Sequence, residues 1–463
     1  MSFLENCGIL TLTLLSFATL VIAAFIIFCS LRRYELAIAL ILLSPWAHWL
    51  FTPPVHESDI ESIAPSFGSY IRIAIVAIVG IIGVFQFLKL RSGSRNEVPF
   101  YLLLLGGFVL YALLSTVYSI DKQYTFVRSS EFVLFFFFLL GFYYWLRDRT
   151  RLEKTLNIYF MIMTCGIIIN IIALVLFPSR VWSWIMPDRF QGILEHPNTL
   201  GAFCMLSYPV LMWKYNSLGP IGKVLLLFLF CIVLFMHMLS GSRSSLVTSI
   251  LGFFLWYLII NRANLYSLAK ILSLALIILF GVVLLLQSRP ASLRREAADI
   301  TNLTGRTEFW QGCIQLVKER PITGYGYGVG GKIWSDPRFY KAGQFLWSGS
   351  ARASLHNGYL SMAIGLGFAG LLIWLSLILI PAWQVMRLEP CGHKALIVVI
   401  LFQGMVLNCF ETSIVSGSQI ITSLVFWLFL VMAQKLPLLP SPDRANELPA
   451  VGFVPTRRRY HAA

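Results

Sequence analysis

The sequence predicts an all-α polytopic membrane protein, and three observations predict it. Of 463 residues, 58% are hydrophobic and only 12% are charged, where a soluble domain is about a quarter charged. Mean hydropathy is +0.77, so too little polar surface exists to cover a soluble globule. The apolar residues also gather into runs of helical spanning length, not into the alternations of about ten residues that mark a transmembrane barrel. Backbone groups in lipid must be bonded internally, and runs of this length satisfy that as helices.

The runs fall at about 9–30, 34–51, 70–90, 98–117, 129–146, 154–177, 197–213, 222–240, 243–260, 267–287, 357–381, 394–412 and 417–434. That makes about 13 spans, of which 34–51 and 197–213 are the shortest. The first follows an n-region with no basic residue and precedes no small-residue cleavage site, so it reads as a retained span and not a signal peptide. One long polar interruption, from about 288 to 355, separates the tenth run from the eleventh. The expected organisation is therefore a bundle of ten spans over 1–287, a loop domain over 288–355, three last spans over 356–434 and a tail over 435–463. Pro437, Pro440, Pro442 and Pro449 with Arg457, Arg458 and Arg459 make that tail a disordered cytoplasmic segment near anionic lipid.

Net charge is +15. In a soluble protein that would point to nucleic acid, but no basic and aromatic surface is arranged for it here. The positive-inside rule explains the excess instead. With the amino terminus outside, inner segments hold 20 Lys and Arg and the short outer loops hold 5. This bias makes the long loop extracytoplasmic and the carboxyl terminus cytoplasmic. Eight cysteines are present without a CxxC pair, and only Cys313 lies in the loop, so no disulfide framework is expected.

The loop has structure of its own. Residues 304–321, TGRTEFWQGCIQLVKERP, read as an amphipathic helix. Thr304 offers a cap, Trp310, Cys313, Ile314 and Val317 repeat at helical spacing, and Pro321 stops the helix. The ITGYGYGVGG that follows lacks the lysine and hydroxyl of a phosphate loop, so close backbone packing under the loop helix is the favoured reading.

Topology brings four polar clusters to one membrane face. In SGSRSSL, residues 240–246, Arg243 sits on a tight turn among small residues, at a helix start whose dipole favours an anion. A guanidinium there suits phosphate; an arginine snorkelling to headgroups is the competing reading. Arg306 also opens a helix, where a cation is poorly placed for the dipole and so open to another role; an ordinary solvated arginine is the favoured reading. At the loop exit Arg352 precedes SLHNGYL, in which Ser354 or Asn357 can cap the next span. His356 then lies at or near the first turn, where the dipole disfavours imidazolium and leaves the neutral ring that a general base needs. A packing histidine bonded to a carbonyl is the alternative. In DRFQGILEHPNTLG, His196 and Asn198 form a polar pair with Asn198 as the expected cap, and Glu195 lies within reach of Arg189. His48, His237 and Glu411 sit near outer span ends and could line a cavity, but local hydrogen bonding is the favoured reading of each. No DxD motif and no cluster with metal-ligand spacing occurs, which favours metal-independent chemistry. Ionisable residues are sparse near the span centres, which weakens a proton-coupled transporter.

RFQGILEHPNTLG, SGSRSSL, GRTEFW with ERPITGYGYG, and SLHNGYLSMAIGLGFAGLLIWL, in that order, resemble the O-antigen ligase and O-antigen (exopolysaccharide) polymerase superfamily of integral-membrane glycosyltransferases. The resemblance covers roughly residues 185–415, and the first six spans match only as spans. It implies a GT-C-like fold, commonly with about 12 spans where about 13 are counted here. It implies an undecaprenyl-diphosphate-linked glycan donor, a glycan or lipid A-core acceptor, and an inverting, metal-free transfer without cofactor at the inner membrane. His356 would be the base at the acceptor hydroxyl, and Arg243 and Arg306 would bind the departing diphosphate. Arg189, His196, Asn198 and Arg352 would be further substrate-binding residues. GRTEFW with ERPITGYGYG and HNGYL leans slightly toward the polymerases. Two other classes stay open on the sequence: a transporter or flippase of lipid-linked sugars, and a non-catalytic partner of a polysaccharide synthase.

Overall fold

The computed structural model describes residues 33–46, 67–91, 98–183, 186–194, 196–261, 306–331, 333, 355–415 and 421–439. The expected spans at 9–30 and 267–287 and the tail beyond 439 lie outside the described residues. The helices are α1 (Tyr34–Leu43), α2 (Phe67–Arg91), α3 (Phe100–Leu114), α4 (Lys122–Trp145), α5 (Arg149–Leu176), α6 (Pro197–Tyr215), α7 (Pro220–Ser240), α8 (Arg243–Asn261), α9 (Arg306–Glu319), α10 (Gly358–Met386), α11 (Gly392–Leu407) and α12 (Ile421–Lys435). Eight helices are long and apolar enough to cross a membrane, and α1 and α11 are shorter apolar helices. The chain is a multi-pass, all-α membrane protein. Among the described residues the only extended pairing is one isolated bridge, Trp182 with Phe190.

Burial separates lipid-facing from central helices. Ile221, Val224, Leu225, Leu227 and Phe228 of α7 are exposed large apolar side chains, the surface that acyl chains cover. By contrast, every residue of α12 from Ile421 to Ala433 is buried. So are Leu200 to Leu211 of α6. These two helices form the centre against which α4, α10 and α11 pack. Along α4, Phe135, Phe138 and Phe142 stack in succession, and Tyr34 of α1 stacks on Phe138.

The loop is built into the bundle through a break in α10. Gly367 has φ 66°, outside the helical region. Carbonyls around the break take donors from the glycine-rich turn: Tyr325 N donates to Ile364 O and Gly326 N to Gly365 O, both at 2.8 Å; in the other direction, Phe368 N of α10 donates to Pro321 O, just before the turn, at 2.6 Å. Tyr111 of α3 donates to Leu366 O at 3.1 Å. The turn is also held from its other side, with Tyr327 N donating to Ser115 Oγ at 2.9 Å and Thr125 Oγ1 to Tyr327 O at 3.1 Å. A broken helix within a membrane protein is tolerated where its backbone groups find such partners. ITGYGYG is thus a close-packed backbone element, seated in the α10 break beyond the end of α9.

Basic residues meet at one end of the bundle. Arg147 Nη2 donates to Leu90 O at 3.1 Å, Lys214 Nζ to Asn157 Oδ1 at 2.6 Å, and Lys394 Nζ to Met386 O at 2.8 Å. His393 and Glu153 pair there at 2.6 Å. The starts of α6, α8 and α10 and the end of α11 lie at the opposite end.

Candidate active site

Four chain segments converge at that opposite end. The first is the start of α6. Its cap is His196 and not Asn198: His196 Nδ1 accepts from Asn198 N at 3.0 Å. Pro197 at the first helical position explains the shift. The residue before a proline is driven out of the α region, and His196 is extended, at φ −149° and ψ 141°. Asn198 is therefore inside the first turn, and its amide is available for other partners.

The second segment is the turn between α7 and α8. Ser240 ends α7 and Gly241 follows in the left-handed region at φ 61°. Ser242 is buried, and Arg243 is exposed at the first position of α8. The third is the entry to α10, where Asn357 Oδ1 caps the helix by accepting from Leu360 N at 3.0 Å. His356 is one residue outside that cap, at φ 45°. Among the described residues it is the single non-glycine residue with a positive φ, a conformation that surrounding structure has to enforce. The fourth is the end of α11. Asn408 O accepts from Gly358 N at 2.8 Å, and the chain then turns to Glu411.

Hydrogen bonds link these segments into one network. His356 Nδ1 meets Glu411 Oε2 at 2.8 Å. Asn198 Nδ2 donates to Glu411 Oε1 at 2.8 Å. Arg189 Nη2 donates to Asn198 Oδ1 at 2.6 Å, and Arg189 Nε donates to Ser240 O at 2.7 Å. The base candidate and the turn that leads into Arg243 are thus joined through Glu411, Asn198 and Arg189. The loop helix reaches the same place, because Trp310 Nε1 donates to Leu355 O at 3.1 Å. Arg306 begins α9 one turn before Trp310.

The network selects a tautomer for His356. A carboxylate only accepts, so in the neutral ring the nitrogen facing Glu411 is the N–H and Nε2 is left to accept. His356 is 33% exposed and Glu411 16%, so the ring remains accessible while its orienting carboxylate is largely covered. This arrangement of base and orienting carboxylate is suited to taking a proton from a nucleophile. His196 is set apart from this role. Burial lowers its proton affinity below the ordinary histidine value, Glu411 pulls the other way, and Arg189 and His356 add to the lowering. Its Nδ1 is also occupied as a cap acceptor.

Of the residues expected from sequence, His356, Asn198 and Arg189 fall in one network, His196 lies beside it, and Arg243 follows the turn that Arg189 holds. Of Arg306 only the backbone is described; Arg352, Ser354, Glu195 and His48 lie outside the described residues. His237 is a local hydrogen-bonding residue, as expected, with Nε2 at 2.8 Å from Ser245 Oγ and Nδ1 at 3.3 Å from Tyr208 Oη. Glu411 is the residue that sequence reasoning undervalued. Its signal was an acidic side chain in NCFETS, just past an apolar run on the face that carries His356.

The family model described as O-antigen ligase matches residues 226–375. The match runs from within α7 into α10 and includes Arg243, Arg306, Arg352 and His356. No curated protein matches the chain.

Proposed function

We propose that the chain is a membrane glycosyltransferase of the O-antigen ligase and polymerase type, a reading supported by the O-antigen ligase model that matches residues 226–375, and that it transfers glycan from an undecaprenyl-diphosphate donor. The acceptor is a sugar hydroxyl at the extracytoplasmic face of the bacterial plasma membrane. The hydroxyl oxygen attacks the anomeric carbon of the donor from the side opposite the diphosphate. The new glycosidic bond forms as the carbon–oxygen bond to the lipid diphosphate breaks, and the configuration inverts. His356 Nε2 takes the hydroxyl proton, and its Nδ1–H is held by Glu411. Arg243 and Arg306 spread the negative charge of the departing diphosphate, so that the arginines do the work a metal would otherwise do.

The observation that carries this reading is the 2.8 Å contact between His356 Nδ1 and Glu411 Oε2, on a histidine whose backbone is held in the left-handed region at the loop exit. The gathering of Arg147, Lys214 and Lys394 at the other end supports an outward-facing site, by the positive-inside rule. Residues 288–355 then form an extracytoplasmic loop domain between a membrane bundle, 1–287, and the last spans, 356–434, and the segment 435–463 is a cytoplasmic tail.

The test is transfer by purified protein in detergent or vesicles, given a lipid-diphosphate-linked oligosaccharide. Longer or acceptor-linked glycan, formed with one lipid diphosphate released per bond, supports the reading. Movement of the donor across the vesicle without glycan transfer contradicts it. A deletion strain then separates the two subfunctions. Loss of a polymerase leaves single capped repeat units, and loss of a ligase leaves long lipid-linked chains unattached.

A further inference from the structure

Arg189 and Asn198 stand between Glu411 and the turn before Arg243, and their donors are already directed into the protein. Arg189 gives Nε to Ser240 O at 2.7 Å, Nη2 to Asn198 Oδ1 at 2.6 Å and Nη1 to Met186 Sδ at 3.0 Å. The backbone of Gly241 approaches so closely that a Cβ there would lie 3.2 Å from Arg189 Nε. Such a guanidinium holds protein elements together and has little freedom to follow a substrate. Asn198 is oriented without ambiguity. Its oxygen faces a cation that only donates, and its NH2 faces a carboxylate that only accepts.

We propose that Asn198 and Arg189 are positioning residues: Asn198 fixes Glu411 against His356, and Arg189 locks Asn198 and the Ser240–Gly241 turn to the same framework. This replaces the substrate-binding role that the sequence implied for both. It rests on the reading of His356 as the base, because the function of the relay is to keep that base oriented. The relay also sets the separation between the base and the helix start that carries Arg243. A displacement of about an ångström between reacting groups costs roughly a hundredfold in rate, so a rigid link between them has a kinetic role.

The chemistry of the amide is specific. The substitution Asn198→Asp would put a second carboxylate within hydrogen-bond distance of Glu411. Two carboxylates that close do not both stay ionised near neutrality. Among the described residues, the titratable and charged groups around Glu411 include His356 from the entry to α10, His196 from the cap of α6, and Arg189 behind Asn198. A proton shared between Glu411 Oε1 and the introduced carboxylate reduces the negative charge on Glu411, so Oε2 accepts more weakly from His356 Nδ1–H until the pH rises and removes that proton.

The experiment measures transfer from a lipid-diphosphate-linked donor by full-length wild type, Asn198→Ala, Asn198→Asp, Arg189→Lys and His356→Ala, with thermal unfolding of each recorded in the same detergent. Asn198→Ala is expected to lower kcat by roughly 10- to 100-fold, with KM for the donor within about twofold. Asn198→Asp is expected to move the acid limb of the kcat profile to higher pH, and activity should recover at alkaline pH. Arg189→Lys keeps the charge and loses the fork, so it should follow Asn198→Ala and not wild type. A raised KM with kcat intact in Asn198→Ala would show that these residues bind substrate and would overturn the proposal. An unshifted pH profile and unchanged kcat in Asn198→Asp would overturn it as well, even if Arg189→Lys fails to fold. Full activity in His356→Ala would instead remove the base reading, so the two ideas fail on different variants.

Discussion

His356 combines two features that seldom occur together in a packing residue. Its φ is 45°, which costs a non-glycine residue energy, and its ring is aimed at a carboxylate that also holds Asn198. The network around Glu411 over-determines the position, which is how such strain persists. Next to it, His196 yields a prediction with a definite sign. Burial holds its pKa below the ordinary 6.5, so the folded chain keeps the ring neutral where the unfolded chain takes up a proton. The associated stability is complete above about pH 6.5 and is lost as pH falls from there toward the folded-state value. Thermal unfolding in detergent should therefore shift to lower temperature on acidification below about pH 6.5. His196→Asn, which can still cap α6, should flatten that slope; an unchanged slope would mean that other groups cause it.

At the scale of elements, the break in α10 joins loop to bundle. A β-carbon on Gly367 would collide with the Ile322 carbonyl, and its φ of 66° suits glycine. Gly367→Ala should lower thermal stability by more than the roughly 1–2 kcal/mol that left-handed backbone costs an L-residue, and should loosen the glycine-rich turn as well. Gly107→Ala in α3, which meets nothing within 4 Å, is the control and should be close to neutral. Equal effects of the two substitutions would contradict the keyed arrangement. The apolar runs made these helices legible: α2 to α5, α7, α8, α10 and α12 fall where hydropathy put them. The caps were only partly legible. Asn357 was one of two candidates, whereas the cap of α6 passed to His196 because Pro197 governs the residue before it. The glycine-rich turn was read as packing, but its partner was not legible, since a helix broken at Gly367 leaves no mark in hydropathy. The part Glu411 plays was not legible for a related reason. Its partners His356 and Asn198 lie 55 and 213 residues away, and no local spacing encodes a contact of that range.

On the scale of the molecule, transfer at the extracytoplasmic face requires that the network end face outward and the basic end face the cytoplasm. Lys318 on α9 and Ser217 between α6 and α7 are both exposed and belong to opposite sides in this orientation. A membrane-impermeant maleimide added to intact spheroplasts should label Lys318→Cys above the wild-type background, and should label Ser217→Cys only after permeabilisation. The reverse pattern would invert the topology and move the site to the cytoplasmic face. What the sequence conveyed at this scale was the order of motifs and the charge bias. The structure adds that segments from residues 189 to 411 meet through hydrogen bonds, so the candidate site extends beyond the matched residues 226–375 to Arg189, Asn198 and Glu411. The central claim is that His356 removes the proton from the attacking hydroxyl. Its most direct test is a single-turnover assay with purified protein and a lipid-diphosphate-linked donor, comparing wild type with His356→Ala at matched thermal stability. Normal donor binding with a loss of glycosidic bond formation of roughly 100-fold or more is expected; bond formation at the wild-type rate by the His356→Ala protein would rule out His356 as the base.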